Sequence, residues 1–157
     1  MIHAVAGIDP GLVNTGVVRM IIHTDKRMVL IEPSVYVGIP ADTIRTNFNG
    51  EDTVFVEAYR QRSHFSEDTE MLEGIRELMS KLPKKSKLLD NSGVKKIITE
   101  EMLHVLNLRK FPGAASNHQD VKSAARIMLL GMAKDPELNP ILYQMLSIRG
   151  RWVFHQS

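Results

Sequence analysis

The 157-residue chain contains no cysteine, which excludes a disulfide framework and any zinc or iron–sulfur centre held by thiolates. Oxygen and imidazole donors remain, and these favour hard cations such as magnesium or manganese. No run approaches the roughly 18 apolar residues that a membrane span requires. The N-terminus shows neither a basic leader nor a small-residue cleavage site. These features lead us to expect a cytoplasmic protein with no membrane partner. Internal repeats, low-complexity tracts and linker-like stretches are missing as well, so the simplest organisation is one domain over 1–157. A large net charge is also missing: 20 Lys and Arg against 18 Asp and Glu leave +2 at pH 7, a balance that says little about partners.

What is present is an ordinary globular composition, 43% apolar and 24% charged, long enough to bury a full core. The basic charge is uneven. From Lys81 to Lys96 there are six lysines (Lys81, Lys84, Lys85, Lys87, Lys95, Lys96) against one acid, Asp90. A second basic set follows in Arg109, Lys110, Lys122 and Arg126. Local basic density on a near-neutral chain suits a phosphate backbone, and it equally suits a solvated lysine face.

The apolar patterning predicts strands at 2–8, 16–22 and 28–31, the last two joined by the polar "HTDKR", and these pair as a meander. "ADTIRTNF" reads as a short helix. "DTVFVEAY", at 52–59, is a further strand carrying Glu57. Ser66 as N-cap, apolar residues at Met71, Leu72, Ile75, Leu78, Met79 and Leu82, and Pro83 as a stop predict an amphipathic helix. "KLLDNSGVKKI" reads as strand then loop, and Thr99 caps a helix to about Leu108. The last long helix runs from about Asn117 to Lys134, with Val121, Ala124, Ala125, Met128, Leu129 and Met132 on one face. The tail holds a short helical pattern, after which Trp152 and Phe154 fold back onto the body.

Three acids stand at the ends of these elements: Asp9 after the first strand, Glu57 on the later strand, and Asp120 in the first turn of the last helix. Each alone has a bland reading, as a turn former, an edge residue and a helix N-terminal acid. Together they mean more, because a carboxylate ending a buried strand is costly unless a partner offsets its charge. A divalent cation is such a partner. Gathered carboxylates suit a two-metal site, in which one ion activates water and the other stabilises the leaving oxygen of a phosphodiester.

With these residues in place, "GIDPGLVNTG" resembles the opening motif of the RuvC-type Holliday-junction resolvases, within the ribonuclease H-like superfamily. The order of elements is similar over about residues 1 to 133: meander, strand with glutamate, long helix, a "GVKK" segment, and a last helix opening with acids. The resemblance implies an α/β, ribonuclease H-like fold with a central mixed five-stranded sheet flanked by helices, as a single nuclease domain. It implies a magnesium- or manganese-dependent endodeoxyribonuclease, with two ions per site, that resolves four-way junctions as a homodimer. Bacterial and viral origin both stay open, a phage-type member being one reading.

Residue by residue, the resemblance makes Asp9 the ligand shared by both metals, Glu57 the ligand from the later strand and Asp120 the acid of the last helix. It places Lys95 near the scissile phosphate. Where the family has a second acid on that helix this chain has Ser123, whose hydroxyl is a weak metal ligand, so that either Asp120 supplies the carboxylate, His118 joins as an auxiliary ligand, or the site is weakened. Where the family has an aromatic wedge this chain has Arg60, with Tyr59 and Phe65 nearby. Arg60, Arg62, Lys84, Lys85, Lys95 and Lys96 are the expected DNA contacts. The helix at Met71–Leu82 is core-facing, and the resemblance gives part of it to the dimer. Two other readings stand beside this one: a broader branched-DNA or flap nuclease, and a junction-binding protein with a weakened site.

Overall fold

The computed structural model describes residues 1–59, 66–147 and 151–157, with residues 66–67 and 115–117 described by their backbone alone. Its sheet is built from β1 (Ile2–Asp9), β2 (Asn14–His23), β3 (Met28–Val37), β4 (Thr53–Glu57), β5 (Lys85–Leu89) and β6 (Val153–Gln156), in the order β5-β4-β1-β2-β3-β6. The expected meander is present, β1 pairing with β2 and β2 with β3, both antiparallel. β4 then runs parallel to β1, and β5 parallel to β4.

The sheet has six strands, one more than the resemblance implies. The extra strand is β6, which lies parallel to β3 along its otherwise open edge. It covers four residues, too short a run for alternation to reveal. Phe154 is half-buried against the core, and the Gln156 side-chain amide donates to the carbonyls of Asn107 (2.9 Å) and Lys110 (2.7 Å). β3 runs past its apolar 28–31 stretch to Val37, taking in the "SVYV" whose composition allows a strand to continue.

Helices cover both faces. On one lie α1 (Ala41–Arg45) and α2 (Ser66–Lys81), packed over Ala6, Ile8, Val17, Val54 and Val56. On the other lies α5 (His118–Lys134), over Val5, Val18, Met20 and Phe55, with α3 (Val94–Ile97), α4 (Glu100–Val105) and α6 (Asn139–Leu146) around it. Two-residue periodicity along β1 and β4 thus sends the odd positions toward α5 and the even ones toward α2. Thr99 caps α4 as expected, its Oγ1 accepting the Met102 N–H at 3.3 Å. The helix ends at Val105, short of Leu108, because Asn107 takes a left-handed conformation (φ 58°) that terminates it.

The α2 stripe packs into the body: Met71, Ile75 and Leu78 are buried, and Leu72 and Met79 half-buried. No helix among the described residues is long and apolar enough to cross a membrane.

Candidate metal-binding active site

Asp9 and Glu57 occupy odd positions on neighbouring parallel strands. The paired residues Ile8 and Val56 precede them in register, so both carboxylates stand level, at the C-terminal ends of β1 and β4 and on the α5 face. Asp9 pairs across β2 with Gly16. That glycine brings the third acid in: a Cβ there would collide with the Asp120 carbonyl, so its absence lets the first turn of α5 rest directly on the sheet beside Asp9. Gly7 does the same one turn further along, where a Cβ would strike the Ala124 carbonyl. Crossing over two glycine-lightened strands thus carries the α5 start, with Asp120, toward the strand ends where Asp9 and Glu57 meet.

Their mutual proximity is registered in the electrostatics. The Asp9 carboxyl is pushed up to about 9, first by burial, then by a hydrogen bond and the charge of Glu57, and then by the charge of Asp120. The Asp9–Glu57 pair consequently holds a proton at neutral pH. The donors are hard oxygens, the class that magnesium and manganese prefer, and their negative charge is the property a divalent cation would offset. As they stand, no three carboxylate or imidazole groups among the described residues are gathered at metal-holding spacing.

Two residues without a role in the sequence reading complete the site. The Asn91 amide, just past the end of β5, donates to Glu57 Oε1. The Tyr59 hydroxyl donates to Oδ1 of the buried Asp68. Residues just beyond the C-terminal ends of parallel strands line the ligand crevice of an α/β sheet, and Asn91 joins them only because β5 pairs with β4. Asp9, Glu57, Asn91 and the turn after β1 border one cleft of about 410 Å³.

The remaining expected residues fall in different places. Asp120 and His118 are half-buried at the start of α5, and the His118 ring lies 3.0 Å from the Gln119 amide nitrogen. Ser123 is exposed. Lys95 and Lys96 are exposed on α3, in the chain segment that follows Asn91. Lys84 and Lys85 are exposed at the start of β5, opposite Thr53, and so at the other end of the sheet from Glu57. Arg60, Arg62 and Phe65 lie outside the described residues.

In the second basic set, Lys110 is exposed, whereas the other three cations face one carboxylate. Glu100 accepts from Lys122 (2.7 Å) and Arg126 (2.8 Å), with Arg109 at 3.8 Å. Arg126 is itself buried. These cations tie α4 to α5 and draw the Glu100 carboxyl down to about 2.

No protein-family model matches this chain, and no curated protein does either. Solved structures do. RuvC from T. thermophilus in complex with a Holliday junction substrate matches with a TM-score of 0.55 at 15% identity, over 92% of this chain and 96% of that one. A Thermus thermophilus RuvC structure matches with a TM-score of 0.49 at 17% identity, over 91% and 96%. At such identity the first likeness is one of fold. The chain has a RuvC-like, ribonuclease H-like α/β fold, a mixed six-stranded sheet flanked by helices.

Proposed function

We propose that this chain is a metal-dependent endodeoxyribonuclease that cuts branched DNA, with the four-way junction as its substrate. The observation that carries the reading is the hydrogen-bonded Asp9–Glu57 pair, with the Asp120 charge bearing on it, at the edge of an open cleft. Support for the substrate class comes from the fold, which is similar to that of a RuvC bound to a junction.

In this reading Asp9, Glu57 and Asp120 hold two magnesium or manganese ions, with His118 as the auxiliary donor. The ions supply a water of lowered pKa and offset charge on the leaving oxygen. The proton that Asp9 and Glu57 share would pass to solvent on loading, so that both carboxylates would serve as ligands. Asn91 holds the Glu57 Oε1 oxygen in place beside Asp9. Lys95 serves the phosphate next to the site, and Lys96 with Arg60 and Arg62 serves the flanking backbone. Lys84 and Lys85, at the far end of the sheet, serve an arm of the substrate that extends beyond the cleft. Two copies of the chain, related by one axis, would make the paired cuts that a nearly two-fold junction needs.

The exposed Ser123 hydroxyl favours a second reading, a junction-binding protein with a weakened site. Cleavage of synthetic four-way junctions, forks and flaps in magnesium and in manganese separates the possibilities. The proposal expects cuts in the junction at the highest rate. Equal or faster cutting of forks and flaps would make the enzyme a broader branched-DNA nuclease. Binding without cutting in either metal, with cutting restored by Ser123→Asp, would establish the weakened site.

A further inference from the structure

The turn that follows Asp9 presents two apolar side chains to solvent, Leu12 at 38% exposure and Val13 at 76%. Isolated exposed apolar residues are common on proteins. These two differ in being held rigidly beside the acids. Thr15 is fully buried beneath them, its Oγ1 accepting the Gly11 N–H at 3.2 Å and donating to the Gly38 carbonyl at 2.5 Å. The Val13 carbonyl accepts the Gly38 N–H at 2.9 Å. The turn is therefore fastened to the end of β3, and its two side chains cannot retreat into the core.

Leu12 and Val13 line the same cleft as Asp9 and Glu57, and Tyr59 and Met71 extend their apolar wall. The Tyr59 ring is braced through its hydroxyl on Asp68. The cleft thus has an acidic edge suited to cations and, through them, to phosphate, and a fixed apolar wall within the same 410 Å³ or so. A nucleotide carries the two matching chemistries one sugar apart, an anionic phosphate and a flat apolar face. Apolar and aromatic side chains take up unstacked bases without regard to sequence. Continuity with the acids selects this occupant over a second copy of the chain, which would cover the wall and close the cleft.

We propose that this wall is a nucleobase subsite, in which Leu12 and Val13 receive the base adjacent to the phosphate being cut. The inference rests on the nuclease reading and specifies where the substrate lies in it. It is tested with the double variant Leu12→Ser/Val13→Ser and with junctions carrying one abasic sugar at each nucleotide flanking the cut. The wild-type rate on the intact junction is read first: no cutting or binding there overturns the nuclease reading and this inference with it.

Given wild-type cutting, the variant is expected to lose about tenfold in kcat/KM on the intact junction, the scale of one lost base contact. On one abasic substrate, variant and wild type should converge to within about twofold, because that substrate already lacks the contact. In chelator, 2-aminopurine at the same position should change fluorescence with wild type and not with the variant. Thermal unfolding of the two proteins should coincide, since both side chains are exposed. The conservative pair Leu12→Met/Val13→Ile should retain the contact. Wild-type rates in the serine variant, a loss that persists on every abasic substrate, or a loss that accompanies conversion of a dimer to a monomer in sedimentation would each overturn the subsite.

Discussion

With its carboxyl pushed up to about 9 by burial and by Glu57 and Asp120, Asp9 keeps a proton through neutral pH in the cation-free protein. Folding raises this pKa above its ordinary 3.8, so the associated stability is complete below that value and is lost as pH rises through 9. The melting temperature measured in chelator should therefore fall between pH 5 and pH 9, and Asp9→Asn should flatten that fall. Magnesium or manganese should raise the melting temperature of the wild type at pH 8 and leave Asp9→Asn unmoved. Asn91→Ala removes the amide that fixes Glu57, so the metal concentration giving half-maximal cutting should rise by about tenfold, as for other residues that orient ligands. An unchanged metal dependence would show that Glu57 is placed without Asn91. At this scale the neighbouring Asp9 and Glu57 were conspicuous in the sequence because an acid at the end of an apolar strand is out of keeping with its surroundings, whereas Asp120 stood out only beside them, as a helix N-terminal acid. Asn91 was not, because its role depends on β5 lying beside β4, a pairing that neither segment's pattern specifies.

Among the elements, the seat of α5 on β1 and β2 decides the geometry. Gly16→Ala would push the Asp120 turn off the sheet, and Gly7→Ala would lift the helix at Ala124. Each should destabilise by about 1–3 kcal/mol, as overpacking does. Gly16→Ala should in addition weaken the metal-induced rise in melting temperature, while Gly7→Ala, further from the acids, should affect that rise less. Calorimetry with and without manganese distinguishes them. The Glu100 network is the second element-scale constraint. Its carboxyl is drawn down to about 2 by Lys122 first and then Arg126, so its contribution is complete above pH 4.5 and is lost as pH falls through 2. Glu100→Gln should lower the melting temperature at pH 7 and reduce its sensitivity to acid below pH 4.5. The helices were readable in advance because their apolar stripes run over many residues. β6 and the role of Arg126 were not: the first covers four residues, and the second depends on α4 folding back over α5.

For the whole molecule, the order of elements carried more information than any single motif. A meander, a parallel strand ending on an acid, and a late helix crossing the strand ends together predict that Asp9 and Glu57 stand side by side with the Asp120 charge bearing on them, and the sixth strand extends the far edge without disturbing them. The basic residues divide by position. Lys95 and Lys96 lie on the segment that follows Asn91, Lys84 and Lys85 lie at the opposite end of the sheet, and Arg109, Lys122 and Arg126 face the Glu100 carboxylate. Removing Lys95 should therefore reduce cutting more than removing Lys84, whose loss should chiefly reduce the salt dependence of binding. The central claim is that the Asp9–Glu57 pair is a metal-dependent phosphodiester-cutting centre, and it is tested most directly by incubating wild type and Asp9→Asn with a synthetic four-way junction in magnesium or manganese. The account predicts cutting by the wild type, none in chelator, and a loss of at least about a hundredfold in Asp9→Asn, the upper end of the roughly 10–100-fold range for the outer-shell partners of a metal, because Asp9 is itself a ligand. Equal cutting by the two proteins, or no cutting by the wild type in either metal, would contradict it.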